Sequence, residues 1–81
     1  MEYAIRFGNR ALKDLRKLDK QISKRIVDKI EALADDLNGD VKKLTDHSPQ
    51  YRLRIGDFRV LFDIDQGTIL IQRVMNRREA Y

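Results

Sequence analysis

The chain of 81 residues contains no cysteine, no tryptophan, one proline and one histidine. Without cysteine it forms no disulfide and offers a metal no thiolate ligand, and one histidine does not by itself build a zinc site. No apolar run approaches the ~18 residues of a membrane span, and the N-terminus lacks the apolar core of a signal peptide. We therefore expect a cytoplasmic protein with no metal, no other cofactor and no contact with a membrane.

The size and composition predict one small domain over residues 1–81, because a chain this short buries only about 60% of its unfolded surface. Apolar residues at 42% and charged residues at 37% are typical of a globular domain with a highly charged surface. The net charge of +4 favours an acidic partner, either a nucleic acid or an acidic protein.

The N-terminal half predicts one strand followed by two helices. Alternation of apolar and polar residues indicates a strand over residues 2–7 with one buried face. Apolar residues then recur at helical spacing, which predicts amphipathic helices over roughly 10–18 and 20–37. Asn9 and Asp19 are expected to cap the N-termini of these helices.

The C-terminal half predicts a loop over residues 40–50 and then three strands. The strands are expected over about 51–55, 58–64 and 68–76, and the first two form a hairpin whose two-residue turn begins at Gly56. The continuous apolar run in the last strand is typical of a central strand covered on both sides. The result is an α+β fold, β-α-α-β-β-β, with both helices on one face of a mainly antiparallel sheet and the other face open.

Basic residues are unevenly distributed, since all seven lysines lie at or before Lys43 and all six basic residues after position 50 are arginine. Alternation places Arg52 and Arg54 on the side of their strand opposite to Leu53, and the hairpin brings Arg59 near them. Guanidinium groups bind phosphate bidentately, and preorganised positive charge stabilises a phosphorane. We interpret this sheet face as a site for RNA, as a clamp or as a catalyst.

The C-terminal residues extend this candidate site. The last strand is expected to bring Arg77 alongside the hairpin, and Tyr81 either stacks on a base or transfers a proton. Arginine is a poor general base, so proton transfer is left to the tyrosine, a rare neutral arginine or groups of the substrate complex. The competing interpretation is that these arginines are ordinary solvated strand residues and that the C-terminus is a solvated tail.

Four segments resemble the RelE toxins of bacterial toxin–antitoxin pairs, within the RelE/ParE superfamily. They are residues 10–18 (RALKDLRKL), 41–44 (VKKL), 51–60 (YRLRIGDFRV) and 73–81 (RVMNRREAY), of which the last two are the more specific. The resemblance implies a small α/β toxin that enters the ribosomal A site and cuts mRNA without a metal. In this reaction the 2′-OH attacks the adjacent phosphate and leaves a 2′,3′-cyclic phosphate and a 5′-OH.

By position, the resemblance also implies the site residues and the partners. The catalytic set would be Arg52, Arg54, Arg59, Arg77 and Tyr81, with Arg73 and Arg78 as further contacts with RNA. The implied partners are the 30S ribosomal A site with its mRNA and rRNA, and a RelB-like antitoxin that blocks the toxin. Operator DNA would be bound only through the antitoxin.

The chain departs from the family pattern at positions that concern proton transfer. The best-studied members carry lysines where Arg52 and Arg54 stand, and many relatives carry Gly-His where this chain has Met75-Asn76. Two alternatives therefore stay open. One is a ParE-like toxin that inhibits DNA gyrase on the same frame, and the other is a non-catalytic module that binds RNA or the ribosome.

Overall fold

The computed structural model describes residues 2–76 and 78, and its sheet has the strand order β1-β5-β4-β3-β2. The elements are β1 (Ala4–Phe7), α1 (Asn9–Arg16), α2 (Lys20–Ala32), β2 (Asp40–Lys43), β3 (Tyr51–Ile55), β4 (Phe58–Asp65) and β5 (Thr68–Asn76). β1 pairs with β5 in parallel, and every other neighbouring pair is antiparallel. The predicted α+β class, with two helices and a mainly antiparallel sheet, is confirmed.

Both helices pack on one face of the sheet through a common apolar core. Ala11 and Leu15 of α1 and Ile26 and Ile30 of α2 are buried against strand residues that include Phe62. Burial of each larger side chain contributes roughly 1.5–3 kcal/mol. Because successive strand residues point to opposite faces, the residues between these core positions lie on the face that neither helix covers.

β5 lies between β1 and β4, as its apolar run predicted. Ile69 and Ile71 are fully buried on the helix-covered face, whereas Leu70 between them is only half-buried. The helices therefore cover this strand on one side, and the expectation of cover on both sides holds only in part.

The predicted loop over residues 40–50 is wrong for its first four residues. Asp40–Lys43 form the edge strand β2, which pairs with β3 in the register Val41 to Leu53. Aspartate and lysine are poor strand formers, so the local sequence gives no signal for this strand. Pairing with a neighbour distant in the sequence supplies the stabilisation instead.

Both helices are shorter than predicted. α2 ends at Ala32 and does not reach the predicted residue 37, since Asp36 and Leu37 adopt the left-handed region with φ 58 each, where a helix does not continue. Asp19 caps this helix as expected, since its carboxylate accepts the backbone N–H of Gln21 at 2.9 Å. In α1, which ends at Arg16, the N-cap is Gly8 instead of the predicted Asn9, and no side chain caps it. Within residues 2–76 and 78, no helix is long and apolar enough to cross a membrane.

Candidate functional site

Three of the predicted arginines lie together on the helix-free side of the sheet. Arg52 and Arg54 are two residues apart on β3, and Arg59 of β4 is directly opposite Arg54. Directly opposite residues share a face with their Cβ atoms about 4.5–5.5 Å apart. The turn between the strands begins at Gly56, whose φ of 55 is a conformation that glycine adopts without strain. We call the surface formed by Arg52, Arg54 and Arg59 the arginine face.

Asp40 lies at the edge of the arginine face and was not identified from the sequence. It is in register with Arg54, and its carboxylate oxygens lie 3.5 Å from Arg54 Nε and 3.7 Å from Arg52 Nη2. Both distances exceed the 2.7–3.2 Å of a good N–H···O hydrogen bond, so the attraction is mainly electrostatic. The sequence predicts a loop at Asp40, and strand register, which creates this contact, does not apply in a loop.

Arg52 is much more buried than Arg54, with 14% of its side chain exposed against 55%. Its Nε is buried and has no hydrogen-bond partner among the described residues. Such a group costs free energy until it finds an acceptor. The guanidinium of Arg52 therefore gains hydrogen bonds if it turns toward an incoming anion.

Arg59 is tethered to its own hairpin. Its Nη1 donates to the carbonyl oxygens of Gly56 at 3.2 Å and of Phe58 at 3.1 Å. Neither acceptor carries a charge, and the directly opposite residue is the equally cationic Arg54. Like charges directly opposite destabilise a strand pair. The arginine face therefore contains a repulsion that a bound anion would relieve.

Arg73 has quite different surroundings. Its Nε and Nη2 donate to the two carboxylate oxygens of Asp14 at 2.9 and 3.2 Å, and one of these oxygens also accepts the backbone N–H of Val74 at 2.9 Å. The pairing of β1 with β5 ends at Ile71, so Asp14 satisfies the edge of β5 where β1 is absent. Arg73 is held by α1, and its predicted contact with RNA stays a prediction.

The environment of Asp14 favours its charged form. Burial raises the pKa of this carboxyl group. The hydrogen bonds from Arg73 and Val74, with the charges of Arg73 and Arg10, outweigh burial, and the pKa lies below its ordinary value. Asp14 therefore remains a carboxylate under all but strongly acidic conditions, and the ion pair persists with it.

The C-terminal end of the site is described only in part. Arg77 and Tyr81 lie outside the described residues, and their catalytic roles stay predictions. Arg78 is exposed, and its backbone N–H donates to Oδ1 of Asn76 at 3.2 Å. Since Asn76 pairs with Phe58, the last residue of β5 lies beside the hairpin that carries Arg54 and Arg59. Among residues 2–76 and 78, no three His, Asp or Glu side chains are grouped closely enough to hold a metal ion.

Comparison with known proteins identifies the family to which this fold belongs. The family described as the ParE toxin of the type II toxin–antitoxin system parDE matches residues 5–81. The chain belongs to the RelE/ParE superfamily of type II toxins. This toxin is also 32% identical to toxin RelE3 of Methanocaldococcus jannaschii. The alignment spans 82 residues and covers 95% of this chain and 93% of the relative.

Solved structures agree with this assignment. The toxin resembles the RelBE2 toxin–antitoxin complex of Mycobacterium tuberculosis with a TM-score of 0.81, at 29% identity over 95% of this chain and 100% of the other. It resembles the RelB–RelE complex of Methanococcus jannaschii with a TM-score of 0.73, at 30% identity over 89% of each chain. The resemblance to RelE-type toxins seen in the sequence is thereby confirmed.

Proposed function

We propose that this toxin is a ribosome-dependent mRNA endonuclease that cuts in the A site of the 30S subunit and so inhibits translation. The observation that carries the proposal is the arginine face. Strand register gathers Arg52, Arg54 and Arg59, and their partners among the described residues are distant carboxylate oxygens or neutral carbonyls. Cations arranged in this way can bind a phosphate without first breaking a strong ion pair.

The proposed reaction is transesterification within the mRNA. A bond forms between the 2′-oxygen and phosphorus, the bond from phosphorus to the 5′-oxygen breaks, and the proton of the 2′-OH leaves while the 5′-oxygen gains one. The intermediate phosphorane carries extra negative charge, and Arg52 and Arg54 are proposed to stabilise its oxygens. Arg77 and Tyr81 are proposed to complete the site, with Tyr81 stacking on a base or transferring a proton. The proposal involves no metal.

A RelB-like antitoxin is the proposed protein partner. The proposal is supported by the two solved relatives of 29% and 30% identity, which are toxin–antitoxin complexes. The positive net charge of +4 fits a partner with acidic segments. Operator DNA would be reached only through this antitoxin.

The proposal is tested by cleavage of mRNA on programmed ribosomes with an empty A site, with the ends mapped at nucleotide resolution. We expect a cut within the A-site codon that is absent without ribosomes and that leaves a 5′-OH on the downstream fragment. Arg54→Gln should lose the cut, whereas Lys24→Gln, which removes one exposed charge from α2, should retain it. An intact message, with protein confirmed as active by growth arrest, would sink the proposal.

Inhibition of DNA gyrase is the second candidate function, and two observations favour it. The matching family is named for ParE. In addition, residues 9–32 contain eight basic and four acidic residues, whereas the rest of the chain contains nine of each. The helices thus carry the whole net charge, and a helix-centred inhibitor would use them. Loss of supercoiling by purified gyrase, with translation unaffected, would establish this function.

The third candidate is a module that binds RNA or the ribosome without cutting. The described part of the site consists of arginines on β3 and β4. Arginine is a poor general base, so these residues can bind RNA without transferring the proton that cleavage requires. This candidate predicts binding to ribosomes that weakens steeply with salt while the message stays intact. The end-mapping experiment separates it from the endonuclease.

A further inference from the structure

We propose that Asp40 is a positioning residue, which holds the arginine face in the free toxin and gives way to RNA phosphate on binding. The inference rests on the proposed RNA-binding function of that face. Asp40 sits on the edge strand β2, and its carboxylate lies within 4 Å of two guanidinium groups at once, 3.5 Å from Arg54 and 3.7 Å from Arg52. One carboxylate therefore occupies the place between two arginines that a phosphate group would take.

The charge on this side of the sheet shows why such a residue is needed. Lys42 is in register with Arg52, so it shares a face with the arginines. Together with Arg54 and Arg59 these residues place four cations side by side, and Asp40 is the carboxylate in register with them on β2. Without it, the paired Arg54 and Arg59 would repel each other with nothing between the strands to offset the repulsion.

The geometry also shows why Asp40 gives way. Its side chain is 58% exposed, and its two ion pairs are longer than hydrogen bonds. Exposed pairs of this kind contribute little and are screened by salt. A phosphate offers each guanidinium a bidentate, charge-assisted hydrogen bond, which is stronger. The Nε of Arg52, without a partner among the described residues, is a donor that this exchange would satisfy.

Two consequences of opposite sign follow for Asp40→Asn. RNA binding should become about fivefold tighter, the change that corresponds to the ~1 kcal/mol between unit charges 4 Å apart in water, because a carboxylate no longer repels the phosphate. The free protein should become less stable, with a Tm lower by about 2–4 °C, because the arginines lose their counter-charge. A residue with a purely structural role would lower the Tm without tightening binding.

The experiment measures fluorescence anisotropy of a short single-stranded RNA, 2′-O-methylated to prevent cleavage, over a range of salt concentrations. The matched control is Asp28→Asn, which makes the same change of charge on the exposed surface of α2. We expect less than twofold tightening for the control and about fivefold for Asp40→Asn. The gain from Asp40→Asn should shrink as salt is raised, because salt screens the repulsion between the carboxylate and the phosphate that this substitution removes. Asp40→Glu should bind much like the wild type.

A third variant, Arg54→Gln, separates the two proposals. Should Arg54→Gln lose RNA binding while Asp40→Asn binds no tighter than its control, the role of Asp40 is overturned and the RNA-binding face stands. Should Arg54→Gln bind RNA as well as the wild type, the arginine face is not the RNA site, and the role proposed for Asp40 fails with it.

Discussion

Two carboxylates of this toxin pair with arginines at different distances, one closely and one loosely. Beside β5, Asp14 holds Arg73 by two hydrogen bonds of 2.9 and 3.2 Å. On β2, Asp40 faces two arginines at 3.5 and 3.7 Å and makes a close bond with neither. The same chemistry is thus used once to fix the fold and once to leave guanidinium groups open to exchange their partner. The distances, and not the residue types, distinguish the closely paired Arg73 from the loosely paired Arg52 and Arg54.

The local environments account for the difference. Asp14 is 13% exposed and has a third donor, the backbone N–H of Val74, so its oxygens are fixed from three directions. Asp40 lies on an edge strand and is 58% exposed. It faces two arginines, of which Arg54 is also repelled by the directly opposite Arg59. Solvent and salt weaken the second arrangement far more than the first.

The largest effect is expected on the open side of this comparison. Arg54→Gln or Arg52→Gln should lower the rate of A-site cleavage by about 10²–10³, because each removes a charge that we propose stabilises the developing phosphorane. The Tm of Arg54→Gln should change little, since its side chain is 55% exposed and makes no short bond among the described contacts. Single-turnover cleavage and thermal unfolding of the same preparations measure both quantities. Full activity in both variants would remove the arginine face from the mechanism.

The next largest effect is expected on the closed side. Asp14→Ala should lower the free energy of unfolding by about 3 kcal/mol, because Arg73 and the N–H of Val74 both lose their acceptor. Denaturant unfolding measures this loss, and Asp28→Ala on α2 is the control with the same change of charge. A loss no larger than that of the control would show that the ion pair contributes nothing to the fold.

The smallest effect concerns pH. The pKa of Asp14 in the folded protein is below its ordinary value of 3.8, so its carboxylate contributes full stability above that pH. This contribution is lost as the pH falls through the folded pKa, since protonation breaks the pair with Arg73. Asp14→Asn should be less stable than the wild type at neutral pH and should approach it in acid. Tm values measured between pH 2 and 7 test this, and parallel curves for the two proteins would contradict it.

The part of the fold that follows from local sequence was predicted well. Gly56 identifies the hairpin turn, and alternation along β3 and β4 predicted which side carries the arginines, since both features involve near neighbours. The two carboxylates were beyond such reasoning. Asp14 and Arg73 are 59 residues apart, and Asp40 acquires its position only through the pairing of β2 with β3. Contacts of this kind depend on register and packing, which no local pattern specifies.

A paired measurement on Arg54→Gln and Arg73→Gln compares the loosely paired arginine with the closely paired one. Each variant is assayed for A-site cleavage, at a temperature where it is folded, and for Tm. We expect Arg54→Gln to cleave about 10²–10³ more slowly at an unchanged Tm, and Arg73→Gln to have a lower Tm while it keeps most of its cleavage activity. The reverse result, with Arg73→Gln inactive at an unchanged Tm and Arg54→Gln active, would contradict the proposed role of the arginine face and make Arg73 the arginine that acts on RNA.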